Sequence, residues 1–115
     1  MGWGKAELIG MDGGGLSAKP HIAVDASGNA IAVWLQDDGT REDIWANRYV
    51  AGTGWGAAEL IEVDAGLVLD PQIAVDASGN AIAVWPQITG TGYSIFACQL
   101  EKLVASRRGY PVGFR

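Results

Sequence analysis

Cysteine and histidine are almost missing from this 115-residue chain, which holds one of each, Cys98 and His21. A lone thiol closes no internal disulfide and builds no cysteine-based zinc site, and it leaves the redox compartment unreadable. Basic residues are scarce too: eight Lys and Arg stand against thirteen Asp and Glu, for a formal charge of −5 and a pI near 4.6. Nucleic-acid surfaces need clustered Lys and Arg, so that class of partner is excluded, and an anionic membrane is disfavoured on the same ground. No run approaches the roughly 18 apolar residues of a membrane-spanning helix. Residues 1–20 lack the basic start and apolar core of a signal peptide, so export is unsupported and localisation stays unknown.

What is present suits packed sheets. Hydrophobic residues make up 49% of the chain and mean hydropathy is +0.13, which is too apolar for disorder. The length fits one small domain. Ala, Val and Ile dominate, joined by five Trp, while seventeen Gly and four Pro supply turns.

One stretch occurs twice. Residues 21–34 read HIAVDASGNAIAVW and residues 72–85 read QIAVDASGNAIAVW, an offset of 51 with thirteen of fourteen positions identical and His21 replaced by Gln72. Gly2-Trp3-Gly4 followed by Ala6-Glu7-Leu8-Ile9 recurs as Gly54-Trp55-Gly56 followed by Ala58-Glu59-Leu60-Ile61, at an offset of 52. The one-residue difference falls between segments 12–20 and 64–71, which read as loops because insertions settle there. The chain is therefore a duplicated unit of about 50 residues.

Ile22 and Val24 alternate with Ala23 and Asp25, and Ile31 and Val33 alternate with Ala30, Ala32 and Trp34. Period two with β-branched residues predicts strands. Asp25-Ala26-Ser27-Gly28-Asn29 predicts a tight hairpin: a type I turn, Gly28 left-handed as a G1 bulge, and the Asp25 carboxylate accepting a turn N–H. Residues 76–80 repeat it. A third strand is predicted over 43–50 and 94–100, where Trp45 matches Phe96, Asn47 matches Cys98 and Tyr49 matches Leu100. The Gly-Trp-Gly segments start a fourth, near 3–10 and 55–62.

By phase the chain reads D, loop, A-B-C-D, loop, A-B-C, tail. Four antiparallel strands on short turns, then a longer crossing, describe a propeller blade. Residues 1–100 thus hold two blades, and 101–115 form a divergent tail. Ile and Val occupy one face of the strands, Ala and Trp the other, so each sheet needs a cover on both sides.

Pro71, the strand Ile73-Ala74-Val75-Asp76, the Gly79-Asn80 turn and the apolar Ile82-Ala83-Val84-Trp85 resemble the A–B hairpin of NHL-type and related bacterial six-bladed propeller repeats. The similarity covers roughly residues 3–100. The Ser-Gly-Asn turn and its Trp resemble more distantly the Asp-box hairpin of sialidase propellers, whose spaced Ser-x-Asp-x-Gly is not reproduced. Such a resemblance implies a fold and leaves function open.

Propellers close with typically about 4–8 blades, and two alone would leave apolar faces and open edges. The expected fold class is all-β: two four-stranded antiparallel propeller-type blades per chain, closed into a propeller by homo-oligomerisation through a head-to-tail contact. Three chains give six blades and four give eight; the trimer is favoured. Fungal and bacterial fucose-binding lectins of the two-blade, trimeric kind resemble this plan in size and in their Gly-Trp segments. The second copy lacks a D strand, because residues 101–108 no longer match the first. Residues 3–10 are expected to pair instead with strand 94–100 of a neighbouring chain. The competing reading is a piece cut from a longer protein.

Candidate binding groups fall on the B–C loop and the outer strand. Residues 36–43 are densely charged, and Asp38, Arg41 and Glu42 suit a polar ligand; Arg41 with Glu42 resembles the Arg/Glu pairs that lectin propellers turn to sugar hydroxyls. Residues 87–94 carry none of those charges, so a solvated loop is the alternative. Asp37, Asp38 and Asp43 lack EF-hand spacing, and no metal site is assigned. Trp3 and Trp55 flank glycines, where an indole either stacks on a sugar ring or seals the gap to the next blade. Trp34, Trp45 and Trp85 read as packing, Cys98 as a small core residue, and Arg48 as either the partner of a carboxylate or a side chain that reaches the rim.

Enzyme chemistry lacks its parts. His21 is Gln72 in the other copy, and there is no Ser-centred elbow, metal-ligand pair or phosphate loop. Arg41, Arg48, Glu42 and Tyr49 fall short of a sialidase-like site. No catalytic residue and no cofactor is assigned. The expected function is a non-enzymatic, lectin-like binding module whose partners are copies of itself and a glycan. The alternatives are a sialidase-like glycoside hydrolase and a structural scaffold.

Overall fold

One carboxylate shapes the hairpin in each copy. In the computed structural model, which describes residues 4–10, 17–37, 42–61, 67–90 and 92–100, Asp25 Oδ1 accepts the N–H of Ser27 at 2.8 Å and of Asn29 at 3.0 Å. Its Oδ2 accepts Asn29 Nδ2 at 3.1 Å. The Gly28 N–H closes a type I turn on the Asp25 carbonyl, and Gly28 then reverses the chain at φ 86°, where a side chain would be strained. Asp76 repeats these bonds to Ser78 and Asn80, with Gly79 at φ 88°.

The described residues form β-structure on either side of these turns: β1 (Ser17–Val24), β2 (Ala30–Asp37), β3 (Glu42–Val50), β4 (Gly54–Trp55), β5 (Glu59–Leu60), β6 (Gln72–Val75), β7 (Ala81–Thr89) and β8 (Gly92–Leu100). Every pairing is antiparallel. The first sheet runs β1-β2-β3, with β4 and β5 sharing the outer edge of β3; the second runs β6-β7-β8. The described residues are all-β.

Three boundaries differ from the sequence expectation, each for a backbone reason. Residues 17–20, read as loop, extend β1, because pairing resumes beyond a bulge between Ala18 and His21. Lys19 sits there at φ 57°, and Pro20 has no N–H to offer the ladder. The second copy does the same: Val68 bridges Gln87, as Ser17 pairs with Gln36. Pairing also continues outward to Asp37 opposite Glu42, so much of segment 36–43 is strand. The fourth strand is split, since Trp55 to Leu60 is five steps where Tyr49 to Trp45 is four. One extra residue makes a bulge.

Alternation sorts the side chains into two faces per sheet. Ile31, Val33, Leu35, Ile44 and Ala46 of the first sheet join Val68, Ala81, Ala83, Trp85, Cys98 and Leu100 in one buried cluster. An Ile/Val face thus lies on an Ala/Trp face, and each large side chain contributes about 1.5–3 kcal/mol. On the opposite face of the first sheet, Asn47 Nδ2 donates to the Ile9 carbonyl at 2.9 Å, which lays residues 4–10 across their own sheet. Both copies satisfy an indole within one strand: Trp34 Nε1 donates to Gln36 Oε1 at 2.7 Å and Trp85 Nε1 to Gln87 Oε1 at 3.1 Å.

Two outcomes follow from this packing. Ile44→Ala, at a fully buried position, is expected to cost about 2–5 kcal/mol, read from the urea midpoint. Bonds from the backbone and then the side chain of Asn80 hold the Asp76 carboxyl below its ordinary value. A lowered native value stabilises the fold above the ordinary carboxylate range, and that contribution fades as pH falls through the native value. Asp76→Asn should therefore be less stable than wild type at neutral pH, with the gap closing below about pH 4.

Candidate functional site

β3 carries the two ends at which binding groups were expected. Glu42 stands at its start, half-buried, on the last rung opposite Asp37, with Asp43 buried next to it. Trp55, on β4, pairs with Tyr49 near the other end; their rings meet edge-on, with centroids 5.4 Å apart at 62°. Seven residues separate Glu42 from Tyr49, roughly 23 Å at a rise of about 3.3 Å per residue. Glu42 and Trp55 therefore do not share a pocket. Trp3, Asp38 and Arg41 lie outside the described residues. Among the described residues, no three His, Cys, Asp or Glu side chains converge on a point.

Other residues fall where their chemistry places them. Arg48 is half-buried; desolvation pulls its guanidinium below the ordinary value, and the Glu59 and Asp25 carboxylates pull it back. His21 Nε2 lies 3.4 Å from Asp70 Oδ1 at the surface. Trp34 and Trp85 are buried in the packing, and Cys98 is a core side chain.

The residues that pattern reading missed lie on the free face of the second sheet. Ile82 is 54% exposed and Ile95 72%, whereas their matches in the first copy, Ile31 and Ile44, are 2% and 0% exposed. Tyr93, at 66%, extends that apolar face. The available signal was the repeat itself: the second sheet carries the same apolar pattern, and among the described residues no further sheet covers it. The opposite end of the stack is partly covered. On the Ala/Trp face of the first sheet, Leu8, Ile9, Pro20 and Trp34 line a groove of about 300 Å³. Pro20 is exposed there, while its match Pro71 is fully buried between the sheets.

The two end faces differ in cover: at one Ile82 and Ile95 are exposed, whereas at the other Ala30, Ala32 and Trp34 are buried and Ile22 and Val24 are exposed. No protein-family model, characterised protein or solved structure matches the chain. The joint and its two counterparts, one bare and one partly covered, are what the geometry offers to function.

Asn47 secures one of those counterparts. Its Nδ2 donates to the carbonyls of Ile9 and Gly56, both at 2.9 Å, and its Oδ1 accepts the Arg48 N–H. Asn47→Ala should cost about 1–3 kcal/mol and release residues 4–10, read as faster proteolysis of that segment.

Proposed function

We propose that this chain is the two-blade unit of a propeller closed by copies of itself, and that the assembly is a non-enzymatic binding module with carbohydrate as its ligand class. The observation that carries the assembly is the opposite burial of matched residues: Ile31 and Ile44 inside, Ile82 and Ile95 outside. An uncovered apolar sheet face of this kind marks an interaction surface, and the chain already holds the kind of face that covers it. Three copies would give six blades, the number in the propeller repeats that the hairpin resembles. In that ring, residues 4–10 take the place of a fourth strand beside β8, whose outer edge carries no partner among the described residues.

Carbohydrate is favoured over a purely structural role by the aromatic edge at Trp55 and Tyr49. A half-buried indole steadied edge-on by a second ring offers a rigid apolar surface with a polar tip, which suits a sugar ring. The charged rung at Glu42 lies too far away to serve the same ring.

Light scattering tests the assembly and a glycan array tests the ligand. Wild type is expected at a multiple of 12.0 kDa, with Ile82→Glu/Ile95→Glu reduced to one chain, because each charge would have to be buried at the joint. Trp55→Ala should keep the mass and lose the array signal. A wild type of single-chain mass at every concentration removes the ring, and an array without signal removes the carbohydrate.

A further inference from the structure

The joint inside the chain includes a small lock between hairpins. Asp25, Asn29, Ala30, Ile31 and Arg48 form a notch at one end of the first sheet. Val75 and Gly79, from the hairpin of the second copy, close it and leave only about 10 Å³. Moving the five notch residues by 51 gives Asp76, Asn80, Ala81, Ile82 and Gln99, and these five line a notch on the second sheet. That second notch is open, with a volume of about 420 Å³.

The plug has an unused counterpart too. Val75 and Gly79 correspond to Val24 and Gly28. Val75 packs against the core cluster and Gly79 is buried, whereas Val24 is 59% exposed and Gly28 lies in solvent. The two turns carry the same bonds, from Asp25 and from Asp76, so they present the same shape. An open notch and an idle plug of matching sequence therefore stand at opposite ends of one molecule.

We infer that the turn around Val24 and Gly28 seats in the Ile82–Gln99 notch of a second copy of this chain, in the register that Val75 and Gly79 adopt against Ile31 and Arg48. The contact is head-to-tail, plug into notch, so each chain uses both and the pattern repeats from chain to chain. It rests on the ring reading above and adds the register by which neighbours engage. The one change of chemistry is at position 99, where a neutral amide replaces Arg48; the docked turn meets no charge from that residue.

Thiol cross-linking tests the register. In a Cys98→Ser background, protein carrying Val24→Cys is mixed with protein carrying Ile82→Cys and treated with a short bis-maleimide. Both sites are exposed in the single chain, so neither substitution disturbs its core. The mixture is expected to give a covalent two-chain species at least tenfold above either protein alone. Val75→Cys/Ile31→Cys in one chain should cross-link at single-chain mass and so report that the reagent spans the joint. If wild type is oligomeric by light scattering but the mixture stays uncross-linked, or Val24→Cys links to itself, the register is wrong and the ring stands. If wild type has single-chain mass throughout, both fall.

Discussion

A sheet with apolar side chains on both faces is stable in water only where both are covered, and two such sheets have four faces. The chain joins two of them, the Ile31–Val33–Leu35 face and the Ala81–Ala83–Trp85 face, into its core. Residues 7–10 lie over part of a third, held by the bond from Asn47 to Ile9. Among the described residues nothing lies on the fourth, where Ile82, Tyr93 and Ile95 face outward. The contrasts between near-identical copies trace to this count. Pro71 is buried and Pro20 exposed, Gly79 is buried and Gly28 exposed, and neither contrast has a cause in its own local sequence.

Local structure is indifferent to that difference. Asp25 and Asp76 bind their turns with the same partners at nearly the same distances, although Gly28 of the first turn is exposed and Gly79 of the second is buried. Trp34 and Trp85 each hand the indole N–H to the glutamine two residues on. This Trp-x-Gln pair lets a large ring enter a dry interface without leaving its donor unpaired. Short-range hydrogen bonds fix the shape of each copy, and its neighbours decide what is buried.

That division explains what could be read from sequence. The hairpins were legible because β-branched alternation and Asp-x-Ser-Gly-Asn act over a few residues. The choice of inner face was not, since Ile31 and Val33 on one side compete with Ile22, Val24, Trp34 and Trp45 on the other with similar apolar weight. The interruption at 56–58 was invisible because its cause is a count across two strands, five steps against four. The candidate site was legible only in parts. Glu42 and Trp55 fall near one strand's two ends, and that separation follows from the register of β3 with β2 and β4 rather than from any motif. The uncovered face at Ile82 and Ile95 was written in the repeat, but only the packing direction tells which of the two copies is left bare.

Unlike faces make better partners here than like ones. In the joint, the bulk of Ile31, Val33 and Leu35 is set against Ala81 and Ala83, so large side chains enter the space that small ones leave, as dense packing requires. A two-fold contact of the Ile82 face with itself would stack large on large. The proposed head-to-tail contact would instead set the Ile82 face against the partly covered face at Ile22 and Val24 of a second copy. The exchange of Arg48 for Gln99 fits that geometry. Within the chain, a half-buried guanidinium is tolerated because Asp25 and Glu59 stand near it permanently. In the proposed contact between chains, a charge at position 99 would have to shed its water each time the contact formed, and a neutral amide would avoid most of that penalty.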